Sequence, residues 1–314
     1  MDLEARSAEP QPSGFWLDAL RCPECAGRLE AVGGGLRCER DEGFFATVDG
    51  IHRLLGPERH AEITAALAFY CRVRADEGFC HSDELPRVPR GHVQERVWRL
   101  RARHFRRFLD WLSRERPARA IVDIGAGCCW AAQRLAERGH RVAAIDVNLD
   151  PDDGLGALSV PGRAHERVER IEADMEFVPL EAGCADVVLL NGALHYARCP
   201  QNVVAEARRI LRPGGALVIL DSPVYRRSGD GEAMVKGKRR EFMARYGYAP
   251  ARDGAAGYFT VSGLGRMLDR AGFEVSVIGW PSRFREAGRD LIELFRHGRR
   301  TARFPMYVGR RRPC

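Results

Sequence analysis

The stretch AIVDIGAG at residues 120–127 decides the fold that we predict for this chain. A short strand pattern over residues 120–124 runs directly into glycines at positions 125 and 127. Glycine lets a ligand approach the backbone closely, and a helix that begins just after such a turn offers free amide groups. The stretch therefore predicts a strand, a ligand-binding turn and a helix, although taken alone this pattern is shared by many nucleotide-binding folds.

Short apolar strands and helices alternate along the rest of the chain. After the strand at 120–124, the sequence predicts strands at 142–145, 168–172, 185–190, 216–220, 274–278 and 304–308, and helices at 131–138, 202–211 and 261–271. This alternation is typical of a parallel sheet with helices on both faces. The expected fold class is α/β, a doubly wound, seven-stranded Rossmann-like sheet that begins near residue 117.

Residues at the ends of successive strands suit successive parts of one ligand. Asp146 ends the second strand, where a carboxylate can accept hydrogen bonds from ribose hydroxyls. Asp174 follows the third strand, where it can accept from an adenine amine, and the Met175 amide can serve a ring nitrogen. Asn191 follows the fourth strand, and an RPGG segment at 212–215 precedes the fifth.

This ordered set of motifs resembles the class I S-adenosylmethionine-dependent methyltransferases over roughly residues 118–310. A Rossmann-like dehydrogenase is the alternative, but it would leave the segments at 173–175 and 212–215 unexplained. The resemblance implies S-adenosylmethionine as the cofactor, with Asp123 and the glycine turn at its methionine end. The implied binding residues are Asp123, Gly125, Ala126, Gly127, Asp146, Val147, Asp174, Met175 and Asn191.

Cys129 departs from the family pattern, which usually has a third glycine at this position. A small cysteine can fill the space of a glycine, or it can shift the cofactor. This residue therefore leaves open a protein that binds the cofactor without transferring a methyl group.

Two residues are candidates for the reacting end of the site. Methyl transfer needs proximity and orientation above all, with a base where the nucleophile must lose a proton. His195 follows the fourth strand, at the edge where such sheets bind ligands, and is predicted to act as a base or to orient the substrate. A structural role for His195 is the alternative. Tyr225 is the second, weaker catalytic candidate.

Three cysteines near the N-terminus have the spacing of zinc ligands. Cys22, Cys25 and Cys38 would supply three thiolates, and Asp41 stands where a fourth ligand is expected. The segment 20–55 resembles the small zinc-ribbon-like modules of some bacterial methyltransferases, a group that includes rRNA guanine-N1 methyltransferases. We predict structural zinc here, with a metal-free degenerate ribbon as the alternative.

The expected organisation has three parts. Residues 1–56 form a tail and the ribbon-like module, residues 57–116 a helical cap, and residues 117–314 the methyltransferase domain, with an insertion at 222–258 that serves as a lid. Apolar and aromatic residues in the cap and the insertion favour a small-molecule acceptor such as a secondary metabolite. The net charge of +7 keeps an rRNA base as the alternative acceptor.

Composition narrows the setting in which the protein is expected to work. No apolar run approaches the ~20 residues that a membrane span needs, and the first residues lack the order of a secretory signal. The ten cysteines are scattered, as in proteins whose thiols stay reduced. We therefore expect a cytoplasmic protein without disulfides or membrane partners, and the oligomeric state stays open.

Overall fold

A mostly parallel sheet built from the predicted strands forms the centre of the molecule. The structure is a computed structural model that describes residues 14–80, 83–115, 119–158, 167–249, 256–279, 290, 293–294 and 298–312. The strands of this centre are β5 Ala120–Ile124, β6 Arg141–Asp146, β7 Val168–Glu172, β8 Ala185–Asn191, β9 Leu211–Leu220, β12 Phe273–Ile278 and β13 Met306–Arg311. In spatial order they run β7-β6-β5-β8-β9-β13-β12, and β13 alone runs in the direction opposite to the others.

Four N-terminal strands continue this sheet beyond β7. They are β1 Leu29–Val32, β2 Gly35–Cys38, β3 Phe44–Val48 and β4 Ile51–Arg53. Strands β1 to β4 form an antiparallel meander, and β4 then pairs in parallel with β7. The sheet of the described residues has eleven strands, and the seven at its centre correspond to the predicted Rossmann-like sheet. The four additional strands extend it, because β4 pairs with an edge of unpaired backbone groups that β7 would otherwise present.

Buried polar side chains fasten the N-terminal strands to the central sheet. The His52 Nε2 atom lies 2.8 Å from Glu169 Oε1, and its Nδ1 atom lies 2.9 Å from Thr47 Oγ1. Arg170 of β7 is also buried, and it donates hydrogen bonds to the carbonyl oxygens of Asp49 and Leu155. Buried polar groups are costly unless they are paired, so these bonds fix the register between the two parts of the sheet.

Helices cover both faces of the sheet, which confirms the doubly wound arrangement. Val122 of β5 belongs to an apolar layer with helix residues such as Val203 and Leu264, whereas the adjacent Ile121 packs into the opposite layer with Phe108. Among the described residues, no helix has the length and apolar character needed to cross a membrane. The helices are α1 Gly14–Leu17, α2 Pro57–Asp76, α3 Glu95–Leu112, α4 Trp130–Ala136, α5 Pro200–Ile210, α6 Ser228–Tyr246 and α7 Val261–Arg270.

The predicted lid insertion lies on the outside of the cap. Its helix α6 contacts α2 through aromatic rings, with Phe242 and Tyr246 each 5.4 Å from Phe69 between ring centroids. Tyr248 packs against the same ring at 5.2 Å. Within the described residues, the insertion therefore supports α2 from behind.

The junction between β4 and β7 gives a first prediction. We expect His52→Ala to lower the free energy of unfolding by about 2–4 kcal/mol, because it removes a buried ring and two hydrogen bonds. Urea denaturation followed by circular dichroism measures this difference. The control is His60→Ala, at an exposed histidine on α2. Equal stability of the two variants would show that this junction contributes little.

Candidate active site

A cavity of about 270 Å³ lies at the carboxyl ends of β5, β6, β7 and β8. This is the edge of a parallel sheet at which α/β proteins bind their ligands. Helix α2 covers the cavity, and Arg101 of α3 lies in its wall. The wall contains eight of the nine residues predicted to bind the cofactor, namely Gly125, Ala126, Gly127, Asp146, Val147, Asp174, Met175 and Asn191.

The carboxylate of Asp146 fastens the glycine turn to the end of β6. Its Oδ2 atom accepts a hydrogen bond from the Gly127 amide at 2.8 Å, and its Oδ1 atom accepts one from the Asn148 amide, also at 2.8 Å. Each carboxylate oxygen has a second lone pair, which remains available to a ribose hydroxyl. Burial raises the pKa of Asp146, while the backbone amides oppose that change. The geometry therefore suits the role predicted for this residue.

The glycine turn passes so close to its neighbours that one position excludes a side chain. Gly125 has φ +75°, and a Cβ atom there would lie 2.3 Å from Cβ of Ala193. Cys129 has φ 58°, a left-handed conformation that glycine adopts without strain, which explains why the family prefers glycine there. The Cys129 thiol is buried and its sulfur lies 3.7 Å from the Gly127 carbonyl oxygen, outside the cavity wall. This departure therefore does not narrow the cavity.

Asp123 is the predicted cofactor residue that does not line the cavity. Its side chain is buried behind the glycine turn, and neither carboxylate oxygen has a hydrogen-bond partner among the described residues. Burial, and secondarily the charge of Asp146, raise the pKa of Asp123 to about 7. Asp123 therefore lies outside the cavity wall, and its predicted contact with the cofactor stays a prediction.

The carboxylate of Asp174 already has an ionic partner. Arg59 of α2 donates a hydrogen bond to its Oδ2 atom, and the Glu176 amide donates to Oδ1 at 2.8 Å. An adenine amine would share this carboxylate with Arg59. The ion pair links α2 to the end of β7, so it also holds the cover over the cavity.

The two predicted catalytic residues do not line the cavity. His195 lies behind Tyr196, with their ring centroids 4.2 Å apart, and it is Tyr196 that reaches the wall. Tyr225 is buried on the short strand β10 Val224–Tyr225, which pairs with β11 Phe259–Thr260, and its ring packs against Tyr258 at 5.8 Å. The chain turns away from the cavity into this second sheet, so Tyr225 lies outside the cavity wall and its catalytic role stays a prediction.

Other residues near the reacting end were missed by the sequence analysis. Tyr70 and Trp130 line the cavity together with Arg101. Behind Gly192, His104 forms a buried hydrogen bond with Asp221, the residue that follows β9. No sequence motif marks these residues, because α2 and α3 approach the sheet only through tertiary packing.

The N-terminal cysteines converge as the sequence predicts. The ligand atoms of Cys22, Cys25, Cys38 and Asp41 all lie within 4.8 Å of one another. The Cys25 and Cys38 sulfurs are 3.4 Å apart, as are Cys22 Sγ and Asp41 Oδ2. Tetrahedral zinc with Zn–S bonds of about 2.3 Å would separate two sulfurs by about 3.8 Å. The donor types and spacing fit zinc after a small expansion.

Backbone amides around these sulfurs are also arranged in a way that favours metal binding. The amides of Glu24, Gly27 and Arg40 each donate to a cysteine sulfur at 3.4 Å. A Cβ atom on Gly27 would lie 3.0 Å from the Cys38 sulfur and 3.1 Å from the Cys25 sulfur. Amides directed at sulfur favour the thiolate form, which is the form that binds metal.

Comparison with known proteins agrees with the architecture of the cavity. Residues 122–219 match the family described as methyltransferase domain. The matched segment contains most of the cavity wall, from the glycine turn to the residues after β8.

Curated relatives match about a third of the chain. Over 102 residues it is 34% identical to dimethylglycine N-methyltransferase of Parasynechococcus marenigrum, a match that covers 32% of this chain and 36% of that protein. Over 109 residues it is 34% identical to malonyl-[acyl-carrier protein] O-methyltransferase of Hahella chejuensis, covering 34% and 38%. The chain thus spans less than half the length of these two relatives.

A solved structure was also compared with the whole chain. Phosphoethanolamine N-methyltransferase 2 of Haemonchus contortus, in complex with S-adenosyl-L-methionine, is 14% identical and superposes with a TM-score of 0.46. The superposition covers 69% of this chain and 53% of that one.

The position of Asp146 gives a second prediction. We expect Asp146→Ala to weaken binding of S-adenosylhomocysteine by about 1–3 kcal/mol, since it removes an acceptor for the ribose and the anchor of the Gly127 amide. Isothermal titration calorimetry measures the affinity. Asp152→Ala, at an exposed aspartate in the following loop, is the control and should bind as the unaltered protein does. Unchanged affinity in Asp146→Ala would remove this residue from the binding site.

The raised pKa of Asp123 gives a third prediction, on stability without ligand. Between about pH 4 and 7 the unfolded chain has lost this proton while the folded chain retains it, so stability falls as the pH rises through this range. An amide cannot ionise. Asp123→Asn should therefore gain stability relative to the unaltered protein as the pH rises from 4 to 8, by up to about 4 kcal/mol. Denaturant unfolding at several pH values tests this.

The control for this measurement is Asp110→Asn, at an exposed aspartate on α3. Its stability difference from the unaltered protein should change little over the same pH range. A stability difference for Asp123→Asn that does not vary with pH would mean that this carboxylate titrates normally.

Proposed function

We propose that the protein is an S-adenosylmethionine-dependent methyltransferase that acts on a small-molecule acceptor. The observation that carries this proposal is the cavity at the strand ends, in which a glycine turn and the Asp146 carboxylate lie side by side within the segment that matches the methyltransferase family. When bound, S-adenosylmethionine supplies a methyl group on a positively charged sulfur, ready for in-line attack by a nucleophile.

The residues of the cavity would hold the cofactor along the strand ends. Asp146 would accept from the ribose hydroxyls, and Asp174 and Met175 would contact the adenine at the end of β7. The glycine turn and Asn191 would contact the methionine end, after β5 and β8. The enzyme's contribution on this proposal is mainly orientation, which by itself can lower a barrier by about 7–11 kcal/mol.

Charge and enclosure would both favour the reaction. The Asp146 carboxylate lies in the wall, and a negative charge near the sulfur would stabilise its cationic form. Helix α2 adds apolar contacts from Ile63 and Leu67 over the open side. A covered cavity excludes water, which would otherwise compete with the acceptor.

The same cover favours a small acceptor over RNA. A base within a folded RNA needs an open approach with contacts to several phosphates. In this cavity, residues of α2 that include Tyr70 line one side. Dimethylglycine, named for one relative, is a small molecule of the proposed class.

For a nucleophile that must lose a proton, two imidazoles are near the strand ends. His195 stays the predicted base, although it approaches the cavity through Tyr196. His104, held by Asp221 behind Gly192, is the other. In such a pair the carboxylate can fix the tautomer that leaves Nε2 as a proton acceptor.

The acceptor class gives a fourth prediction. With S-adenosylmethionine that carries a labelled methyl group, we expect label to enter compounds of a metabolite extract and not unmodified rRNA. Asp146→Ala is expected to reduce the labelling, and Asp152→Ala to leave it unchanged. Labelling confined to rRNA and suppressed as salt rises would instead favour an RNA methyltransferase. Binding of S-adenosylmethionine with no transfer to either would favour the non-methylating alternative.

We infer in addition that Cys22, Cys25, Cys38 and Asp41 bind structural zinc. Four donors with tetrahedral spacing and amides directed at the sulfurs support this inference. Zinc would join the turn that precedes β1 to the turn that follows β2. It would therefore stabilise the N-terminal end of the sheet.

The zinc site gives a fifth prediction. Protein purified with zinc supplied and without chelators should contain about one equivalent of zinc by elemental analysis. Cys38→Ser should lose most of it, whereas Cys80→Ser, at an exposed cysteine outside the cluster, should retain it. Less than about a tenth of an equivalent in the unaltered protein would favour the degenerate ribbon.

A further inference from the structure

The wall of the cavity contains four arginines, and three of them are neutralised by carboxylates. Arg59 pairs with Asp174. Arg74 binds both oxygens of Asp153, at 2.5 and 2.9 Å. The guanidinium of the third, Arg198, lies 3.2 Å from a carboxylate oxygen of Glu62 on α2.

Arg101 is the fourth, and it has no carboxylate partner among the described residues. The Asp221 side chain also lies close to Gly192, but its Oδ1 atom is bonded to His104, and its buried Oδ2 atom forms no hydrogen bond with Arg101. A half-buried cation without a counter-ion is costly. The cavity therefore contains one positive charge that the described protein groups leave unneutralised.

Aromatic rings hold the Arg101 guanidinium in place without neutralising it. Its central carbon lies 5.0 Å from the centroid of the Trp98 ring and 5.7 Å from that of Phe79. Trp98 in turn packs edge-on against Trp130, with centroids 5.7 Å apart. Trp130 directly follows the glycine turn, so this stack ties Arg101 to that turn. A cation fixed in this way loses little conformational entropy when it binds an anion.

The order of the strands places Arg101 at one end of the cavity. From β7 to β6, β5 and β8, the strand ends present Asp174, Asp146, the glycine turn and Gly192 in succession. The Nη2 atom of Arg101 lies 3.8 Å from the point that a Cβ atom on Gly192 would occupy. Arg101 is therefore at the end opposite Asp174, beyond the position of the ribose.

We propose that Arg101 binds the carboxylate at the methionine end of S-adenosylmethionine. This inference rests on the proposed function. If the adenosine lies at Asp174 and Asp146, the methionine must extend toward β5 and β8, and its carboxylate is the one anionic group of the cofactor. A guanidinium binds a carboxylate with two parallel hydrogen bonds, which suits a planar group held on aromatic rings.

The test compares two ligands that differ only in this carboxylate. S-adenosylhomocysteine and its decarboxylated analogue, which retains the amine, are titrated into the full chain and into Arg101→Gln by calorimetry. The unaltered protein should bind S-adenosylhomocysteine roughly 10- to 100-fold more tightly than the analogue. Arg101→Gln should lose most of this preference and bind the analogue with unchanged affinity.

Matched variants make the result specific to the guanidinium. Arg103→Gln, at an exposed arginine on the same helix, should retain the full preference for the carboxylate. Arg101→Lys should retain part of it, since it keeps the charge and loses the two-pronged geometry. If Arg101→Gln fails to fold, Arg101→Lys provides the comparison, and an undiminished preference in that variant counts against the proposal.

The outcomes separate this inference from the proposed function. If the unaltered protein binds neither ligand, the proposed function itself fails and this inference fails with it. If the protein binds both ligands and Arg101→Gln keeps the carboxylate preference, only the role of Arg101 is overturned. Equal weakening of both ligands would show that Arg101 supports the fold of the cavity, and it would overturn the proposal as well.

Discussion

The hydrogen bond from the Gly127 amide to the Asp146 carboxylate is the contact on which the cavity depends. It joins the turn after β5 to the end of β6, two neighbouring strands whose carboxyl ends would otherwise carry independent loops. With this bond in place, the glycine turn is held open toward solvent and close to Ala193 at the end of β8. Three strand ends thus form one rigid floor, and the helices above need only supply a cover.

The cover comes from outside the segment that matches the methyltransferase family. Only Val73 of α2 is buried, so apolar packing alone gives this helix little hold on the sheet. Two ion pairs provide the rest, from Arg59 to Asp174 and from Arg74 to Asp153. Because both carboxylates lie in the cavity wall, the charges that hold the cover also set the electrostatics of the site.

The N-terminal strands support the floor of the cavity from one side. By pairing with β7, β4 removes the edge of the sheet next to the Asp174 end of the cavity. The buried contact between His52 and Glu169 and the bonds of Arg170 make this pairing specific. The cysteine cluster lies at the far end of this extension, so a metal there would act on the site through the sheet and not by contact.

The sequence by itself determined the strands, the turn and the floor of the cavity. Each depends on neighbours along the chain, such as the short apolar run at 120–124 and the glycines that follow. The spacing of the cysteines likewise predicts that they converge. In α3 the packed face is set by the large buried rings of Trp98 and Phe105, whereas Val97 is 37% exposed.

Only the tertiary structure decided which residues face the cavity from other elements. In the sequence, Arg101 is one of many arginines on a helix with a solvated face. In the structure, α3 crosses the strand ends, and Arg101 therefore lines the cavity. Tyr225 follows a strand end, as a site residue should, but the pairing of β10 with β11 carries it away. The addition of β4 to β7 joins residues more than a hundred positions apart, and no local pattern specifies that contact. Such pairings are determined by the burial of whole surfaces and by sheet edges whose backbone groups would otherwise be unpaired. Both are properties of the folded chain.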